Sequence, residues 1–284
     1  MERRRLDVVI ISDVHLGTYG CRAKELLNYL RSIQPDMLIL NGDIIDGWQF
    51  SKRFFPSLHL QVIKELMQFI TTGTRVVYIT GNHDEMLRRY TDLNMGSFLL
   101  TDKLVLEIDQ KMTWIFHGDV FDNTTQGSAR IVAKLGSNGY GLLILFNQLV
   151  NTLLGFLGQE KVSISKRIMK GVNKAIAKVN DLEQIASDLA IKKKYDYVIC
   201  GHLHQPEIRT IENDEGKVVY LNSGDWVENM TSLEYENKNW RLFQYKAIEF
   251  SESVLEENKK TLNVVTDDFA ILLSMIPLPS FPSL

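Results

Sequence analysis

Short, β-branched apolar runs recur along this chain, and five of its six histidines stand just past them, each grouped with Asp, Asn or Gly. The groups are Asp13-Val14-His15, Gly42-Asp43, Gly81-Asn82-His83-Asp84, His117-Gly118-Asp119 and Gly201-His202-Leu203-His204. That placement restricts the fold. Side chains so far apart in sequence converge only if the runs are neighbouring strands whose ends share an edge, as in an α/β sheet with parallel strands.

The pattern between the groups agrees. Val8 to Ile11, Met37 to Leu40 and Arg75 to Ile79 read as strands. Arg22 to Ile33 and Leu58 to Ile70 read as the helices between them, the second stopped by Gly73. Strands resume at Met112 to Phe116, Tyr195 to Cys200 and Val218 to Leu221, with a more antiparallel alternation after His204. The expected architecture is a layered α/β sandwich around two sheets. From Asp122 to Lys194 the periodicity turns helical. We therefore read a core over residues 1–121 and 195–255, a helical insertion or lid over 122–194, and a tail over 256–284.

Composition narrows the function. A length of 284 residues, 45% of them hydrophobic, suffices for one large core. The net charge of −3 gives no global attraction to nucleic acid or anionic lipid. Cys21 and Cys200 are the only cysteines, which excludes a disulfide framework and points to a reducing compartment. The apolar run Leu6 to Ile11 includes Asp7 and is too short and polar for a signal segment, so the expected location is cytoplasmic.

The grouped residues suit a pair of divalent cations. Carboxylate oxygen and imidazole nitrogen match Mn²⁺, Fe²⁺ or Zn²⁺, and no cysteine joins the set. Two dications about 3.5–4 Å apart need an anion between them, and Asp43, ending a buried strand, is the candidate bridge. Asp13 and His15, two apart in an extended segment, can point the same way, as can His202 and His204. Asn82 offers a neutral oxygen. A lone Asp after a strand is usually a turn former and a lone His a hydrogen-bonded residue, but five such groups in order are not explained that way.

This series resembles the calcineurin-like metallophosphoesterase superfamily, whose pattern runs DxH, GDxxD, GNHD, H and GHxH. Here the elements stand as Asp13-His15, Gly42 to Asp46, Gly81 to Asp84, His117 and Gly201 to His204. The resemblance implies a four-layer sandwich, two central β-sheets flanked by helices, with an inserted helical lid. It implies one metal held by Asp13, His15, Asp43 and His204, and a second by Asp43, Asn82, His117 and His202, typically Mn²⁺. It also implies that Asn82 and His83 meet the phosphate, that His83 protonates the leaving oxygen, and that Asp84 orients its imidazole. The stretch Tyr220 to Glu228, Asp46-Gly47-Trp48 and the insertion after His117 are similar to the branch containing UDP-2,3-diacylglucosamine diphosphatases. Those enzymes cleave the pyrophosphate of a lipid-linked nucleotide sugar to UMP and an acylated sugar 1-phosphate. Their best-known members carry Arg where this chain has His83.

The insertion bears on the substrate. Leu135 to Gln159 carries no charge and nears the length of a membrane span. A single span would put His117 and His202 on opposite sides of the bilayer, so the readings left are a buried hairpin or an apolar lid that receives acyl chains. Beyond it, Lys166, Lys170, Lys174 and Lys178 recur every four residues opposite Ile164, Ile168, Val172 and Ile176. Residues 122–194 hold eleven Lys or Arg and five Asp or Glu, leaving the insertion at +6 and the remainder at −9. A solvated lysine face is the ordinary account; Lys166 and Lys170 contacting a phosphate or anionic lipid headgroup on the inner membrane face is the sharper one. No aromatics interleave the stripe, so nucleic acid is not expected as a partner. Asp46, Asp119, Asp122 and Asp225 read as turn formers, with support of the ligands as the alternative. His59 reads as an ordinary helix histidine.

Overall fold

A computed structural model describes residues 3–48, 54–121 and 182–247. Lys166, Lys170, the apolar stretch Leu135 to Gln159 and the expected tail over 256–284 lie outside the described residues. The compact unit Glu2–Tyr245 contains everything discussed below.

The chain begins with β1 (Arg4–Ile11), α1 (Ala23–Ser32), β2 (Ile33–Asn41), α2 (Ser57–Thr71) and β3 (Arg75–Ile79). Next come β4 (Leu93–Met95), β5 (Phe98–Thr101), β6 (Lys103–Ile108) and β7 (Lys111–Phe116). The described part closes with α3 (Leu182–Lys192), β8 (Tyr197–Cys200), β9 (Glu207–Asn213), β10 (Gly216–Asn222), β11 (Thr231–Glu236) and β12 (Asn239–Gln244). Local chemistry sets several limits. Pro35 holds Gln34 extended, so α1 stops at Ser32 and the chain runs straight into β2. Gly73, at φ +97°, ends α2, and the Thr74 N–H closes back on the Phe69 carbonyl.

Seven strands form one sheet in the order β12-β11-β1-β2-β3-β5-β4, and five form a second in the order β6-β7-β8-β10-β9. The central pairs β1–β2, β2–β3, β7–β8 and β8–β10 are parallel. The pleat sorts their side chains. Val8, Ile10, Ile39, Val77 and Ile79 of the first sheet meet Ile115, Ile199 and Leu221 of the second in one buried cluster. The alternate residues of the second sheet, Trp114, Phe116, Val198 and Tyr220, pack against Leu182, Ala186 and Ala190 of α3. On the first sheet Val9, Ile11, Leu38 and Leu40 are likewise buried, with α1 beside β2 and α2 beside β3. Both faces of each central sheet are thus covered, as parallel strands require. Leu26, Leu27 and Leu30 of α1 are fully buried and contribute about 1.5–3 kcal/mol each. The result is a four-layer α/β/β/α sandwich. Helix α3, placed by the sequence within the insertion, is the outer layer on the second sheet.

Candidate metal centre

Parallel strands in both sheets run the same way in their own sheet, so their C-terminal ends deliver the grouped residues to one place. Asp13 and His15 follow β1, Asp43 follows β2, Asn82 and His83 follow β3, His117 follows β7, and His202 and His204 follow β8. Asp13, His15 and His204 present ligand atoms within 4.8 Å of one another, as do Asp43, His117 and His202. His15, Asp43 and His83 form a third such group between them.

The backbone bends sharply to achieve this. Asp13, His15, Asp43, His202 and His204 all have φ between 53° and 62°. Non-glycine residues rarely hold that left-handed conformation, which costs about 1–3 kcal/mol each and persists where the surroundings over-determine it. The adjoining glycines let the loops close. A Cβ at Gly42 would overlap the His117 ring, and one at Gly81 would overlap the Asp43 carboxylate.

Charge and polarity in the centre are unbalanced. Asp13 and Asp43 are almost fully buried. Burial opposes ionisation of Asp13, yet His204, with Nε2 3.1 Å from Oδ1, holds the carboxyl down at about 2. Burial is likewise outweighed at Asp43 by His117, whose Nε2 lies 3.2 Å from Oδ2, and its pKa falls well below the usual carboxylate range. The imidazoles answer in kind: burial pulls His204 down, but Asp13 raises it to about 9. His117 Nδ1 donates to the Asn41 carbonyl at 2.9 Å, which turns Nε2 inward. His15 Nδ1 lies 3.1 Å from Asp46 Oδ2, which turns its Nε2 inward as well. His15 Nε2 and Asn82 Oδ1 are buried without a hydrogen-bond partner, and Asp13 Oδ1 and His117 Nε2 have only the imidazole–carboxylate contacts above, which lack hydrogen-bond geometry. Buried polar atoms left in this state are costly unless something supplies the missing partner. Inward-facing oxygen and nitrogen lone pairs with no sulfur fit hard or borderline divalent cations.

His83 lies at the rim of the group. Its backbone N–H donates to Asp43 Oδ1 at 2.8 Å, and its Nδ1 lies 2.9 Å from Asp46 Oδ2. Burial lowers the pKa of this imidazole, but Asp46 and Asp43 together more than offset it and the net direction is up. Trp48, 52% exposed, packs on the His83 ring at 4.5 Å between centroids. Asp84, expected to orient His83, does something else. Its carboxylate accepts from the Tyr78 hydroxyl and from the N–H groups of Ile44 and Gly81, tying the loops after β2 and β3 together. Its burial and the nearby Asp43 charge push its pKa up.

Two residues read as turn formers also touch the histidines. Asp46 accepts the Trp48 N–H as a turn residue does, and its other oxygen lies against His15 and His83. Asp225 accepts the N–H groups of Val227, Glu228 and Asn229, with His204 Nδ1 3.9 Å away. Asp119 instead pairs with Arg88 at 2.6 Å, and Asp122 lies outside the described residues. The GDxxD spacing was the sequence signal for Asp46, and the stretch Tyr220 to Glu228 was the signal for Asp225.

A profile described as calcineurin-like phosphoesterase matches residues 6–206, a stretch that contains every one of these grouped residues. The chain belongs to the calcineurin-like phosphoesterase family. Members of this family use divalent metals, and the protein is a metal-dependent phosphoester hydrolase. A protein of Blochmanniella pennsylvanica named UDP-2,3-diacylglucosamine hydrolase is 26% identical over 82% of this chain and 94% of its own length. One of the same name from Photorhabdus laumondii is 25% identical over 84% of this chain and 98% of its own. A solved archaeal phosphodiesterase overlaps 84% of this chain and 98% of its own at 14% identity, with a TM-score of 0.38. For a calcineurin-like phosphoesterase the inward-facing lone pairs have an immediate use.

Proposed function

We propose that this calcineurin-like phosphoesterase hydrolyses the pyrophosphate of UDP-2,3-diacylglucosamine, releasing UMP and the acylated sugar 1-phosphate. The observation that carries the reading is the likeness to the two relatives of that name over nearly their whole lengths. The orphaned donor set beneath the loops supports the metal chemistry.

In this reading Asp13, His15, Asp43 and His204 hold one divalent ion and Asp43, Asn82, His117 and His202 the other, Mn²⁺ being the physiological choice. Such a pair supplies an activated water and neutralises phosphoryl charge for in-line attack. The chain's own residues do the rest. Asp43 separates the two positive charges. The Asn82 amide contacts the phosphate without adding negative charge. His83, with Asp46 against Nδ1, turns its other nitrogen to the departing oxygen and donates a proton there. Asp46 thereby acts on the metal side through His15 and on the acid side through His83. Lys166 and Lys170 meet the substrate's anionic groups, and the insertion brings the enzyme to the inner membrane face, where a diacylated sugar resides. Among the described residues no helix is long and apolar enough to cross a membrane.

The test compares two substrates at saturating Mn²⁺. Release of UMP from UDP-2,3-diacylglucosamine, far exceeding turnover of bis(p-nitrophenyl) phosphate, is the expected result. Turnover of the chromogenic diester alone would make the protein a phosphodiesterase of small or protein-bound substrates.

A further inference from the structure

In the turn that carries His15, the N–H groups of Asp13 to Thr18 are accepted by backbone carbonyls with one exception. The N–H groups of Asp13, Val14, His15 and Leu16 all donate to the carbonyls of Gly42, Asp43 and Ile44, and that of Thr18 to the His15 carbonyl. The remaining donor, Gly17 N–H, is accepted by a side chain: His59 Nδ1, at 2.9 Å. His59 comes from the first turn of α2, 42 residues away, and is 4% exposed.

We propose that His59 is a positioning residue for the metal centre, fixing through Gly17 the left-handed turn from which His15 reaches Asp13 and His204. The inference rests on the metal-binding reading above but concerns a residue outside every motif.

Three observations support it. His15 and Gly17 have φ of +54° and +100°, so the turn is one the chain does not hold by preference and each added bond restricts it. Next, the bond fixes the tautomer: Nδ1 can accept only if the ring is neutral with its proton on Nε2. Burial, which lowers the His59 pKa to about 4, keeps it neutral. Finally, the rings of Phe54 and Phe55 stand edge-on to the imidazole at 6.1 and 5.5 Å, fixing its plane. If filling space were the whole requirement, an apolar ring would serve without the desolvation of an imidazole.

The experiment titrates Mn²⁺ into metal-stripped full-length protein by calorimetry and follows exchange of the Gly17 amide by NMR. His59→Asn places an oxygen near the Nδ1 position, whereas His59→Phe keeps an aromatic ring but no acceptor. The expected result is Mn²⁺ affinity within about threefold of wild type for His59→Asn and a loss of about 10–100-fold for His59→Phe, the range typical of groups that orient metal ligands. Gly17 exchange should be faster in His59→Phe alone. Wild-type affinity in His59→Phe, or equal loss in both folded variants, would overturn the proposal. If His59→Phe does not fold, His59→Asn decides: retained affinity with a protected Gly17 amide supports it, and weakened affinity refutes it. If wild type binds no Mn²⁺ while Gly17 exchange still separates the variants, the metal reading has failed and the hydrogen bond has not.

Discussion

Two of the places where this molecule buries carboxylates handle the charge in opposite ways. On β11, Glu234 is completely buried, but each oxygen is supplied by the chain itself: Arg4 Nη2 at 2.9 Å and Tyr29 Oη at 2.9 Å on Oε1, and Arg241 Nη2 at 2.7 Å on Oε2. Burial opposes its ionisation, Arg4 outweighs burial, and the pKa falls. At the strand ends, Asp13 and Asp43 face imidazoles, and inward-facing oxygen and nitrogen atoms lack hydrogen-bond partners. A charge neutralised from within needs nothing further. A cage of unmatched lone pairs, held on a backbone bent into the left-handed region, is costly until a cation supplies the missing partner.

The contrast can be broken most forcefully at Asp43. Asp43→Ala should abolish turnover and reduce bound metal measured on dialysed protein, and it should also lower the melting temperature in chelator because His117 loses the carboxylate it faces. Metal content equal to wild type in Asp43→Ala would mean that Asp43 is only structural, like Glu234. His83→Ala comes next: turnover should fall by about 10²–10⁴-fold with metal content unchanged, as for loss of a general acid. Wild-type turnover at saturating Mn²⁺ would remove that role.

Smaller effects belong to the other region. Glu234→Gln should cost about 1.5–3 kcal/mol in denaturant unfolding, the worth of hydrogen bonds to charged groups. Because Arg4 and Arg241 side chains are 40% and 50% exposed and can rehydrate, the lower end is expected. Metal should discriminate as well: Mn²⁺ at a hundred times its dissociation constant should stabilise wild type and Glu234→Gln equally, by about 2.7 kcal/mol, and Asp43→Ala not at all. The smallest effect concerns acid. Glu234 has a folded pKa below its ordinary 4.5, so its stabilisation is present above that pH and lost as pH falls through the folded value. The stability gap between wild type and Glu234→Gln should therefore close on acidification below about 4.5. A gap that persists there would place its origin in packing, not charge.

Much of the architecture was legible from periodicity. The parallel strands β1, β2, β3, β7 and β8 are continuous apolar runs because both faces are buried, and their signal is strong. Strands β4, β5 and β6 went unread. β4 is exposed along its whole length, and β6 alternates Lys103, Leu104, Val105, Leu106, Glu107 with only Ile108 buried, so neither carries a buried-strand signature. The residues that gather at the centre were also named in advance, since each sits beside a strand end. The partners of those residues were not. The family resemblance assigned Asp84 to His83, whereas Asp46, some 37 positions upstream, is the carboxylate in contact. His59 looked unremarkable on a helix whose one informative contact is 42 residues away.

Sequence by itself determined where the core strands lie, the family and the set of groups able to take a metal, because those depend on local pattern and residue chemistry. Tertiary structure alone decided which carboxylate orients which imidazole, which turns are forced into the left-handed region and which side chain holds them. Those are matters of distance between loops, and loops from two separate sheets meet only after the sandwich has closed.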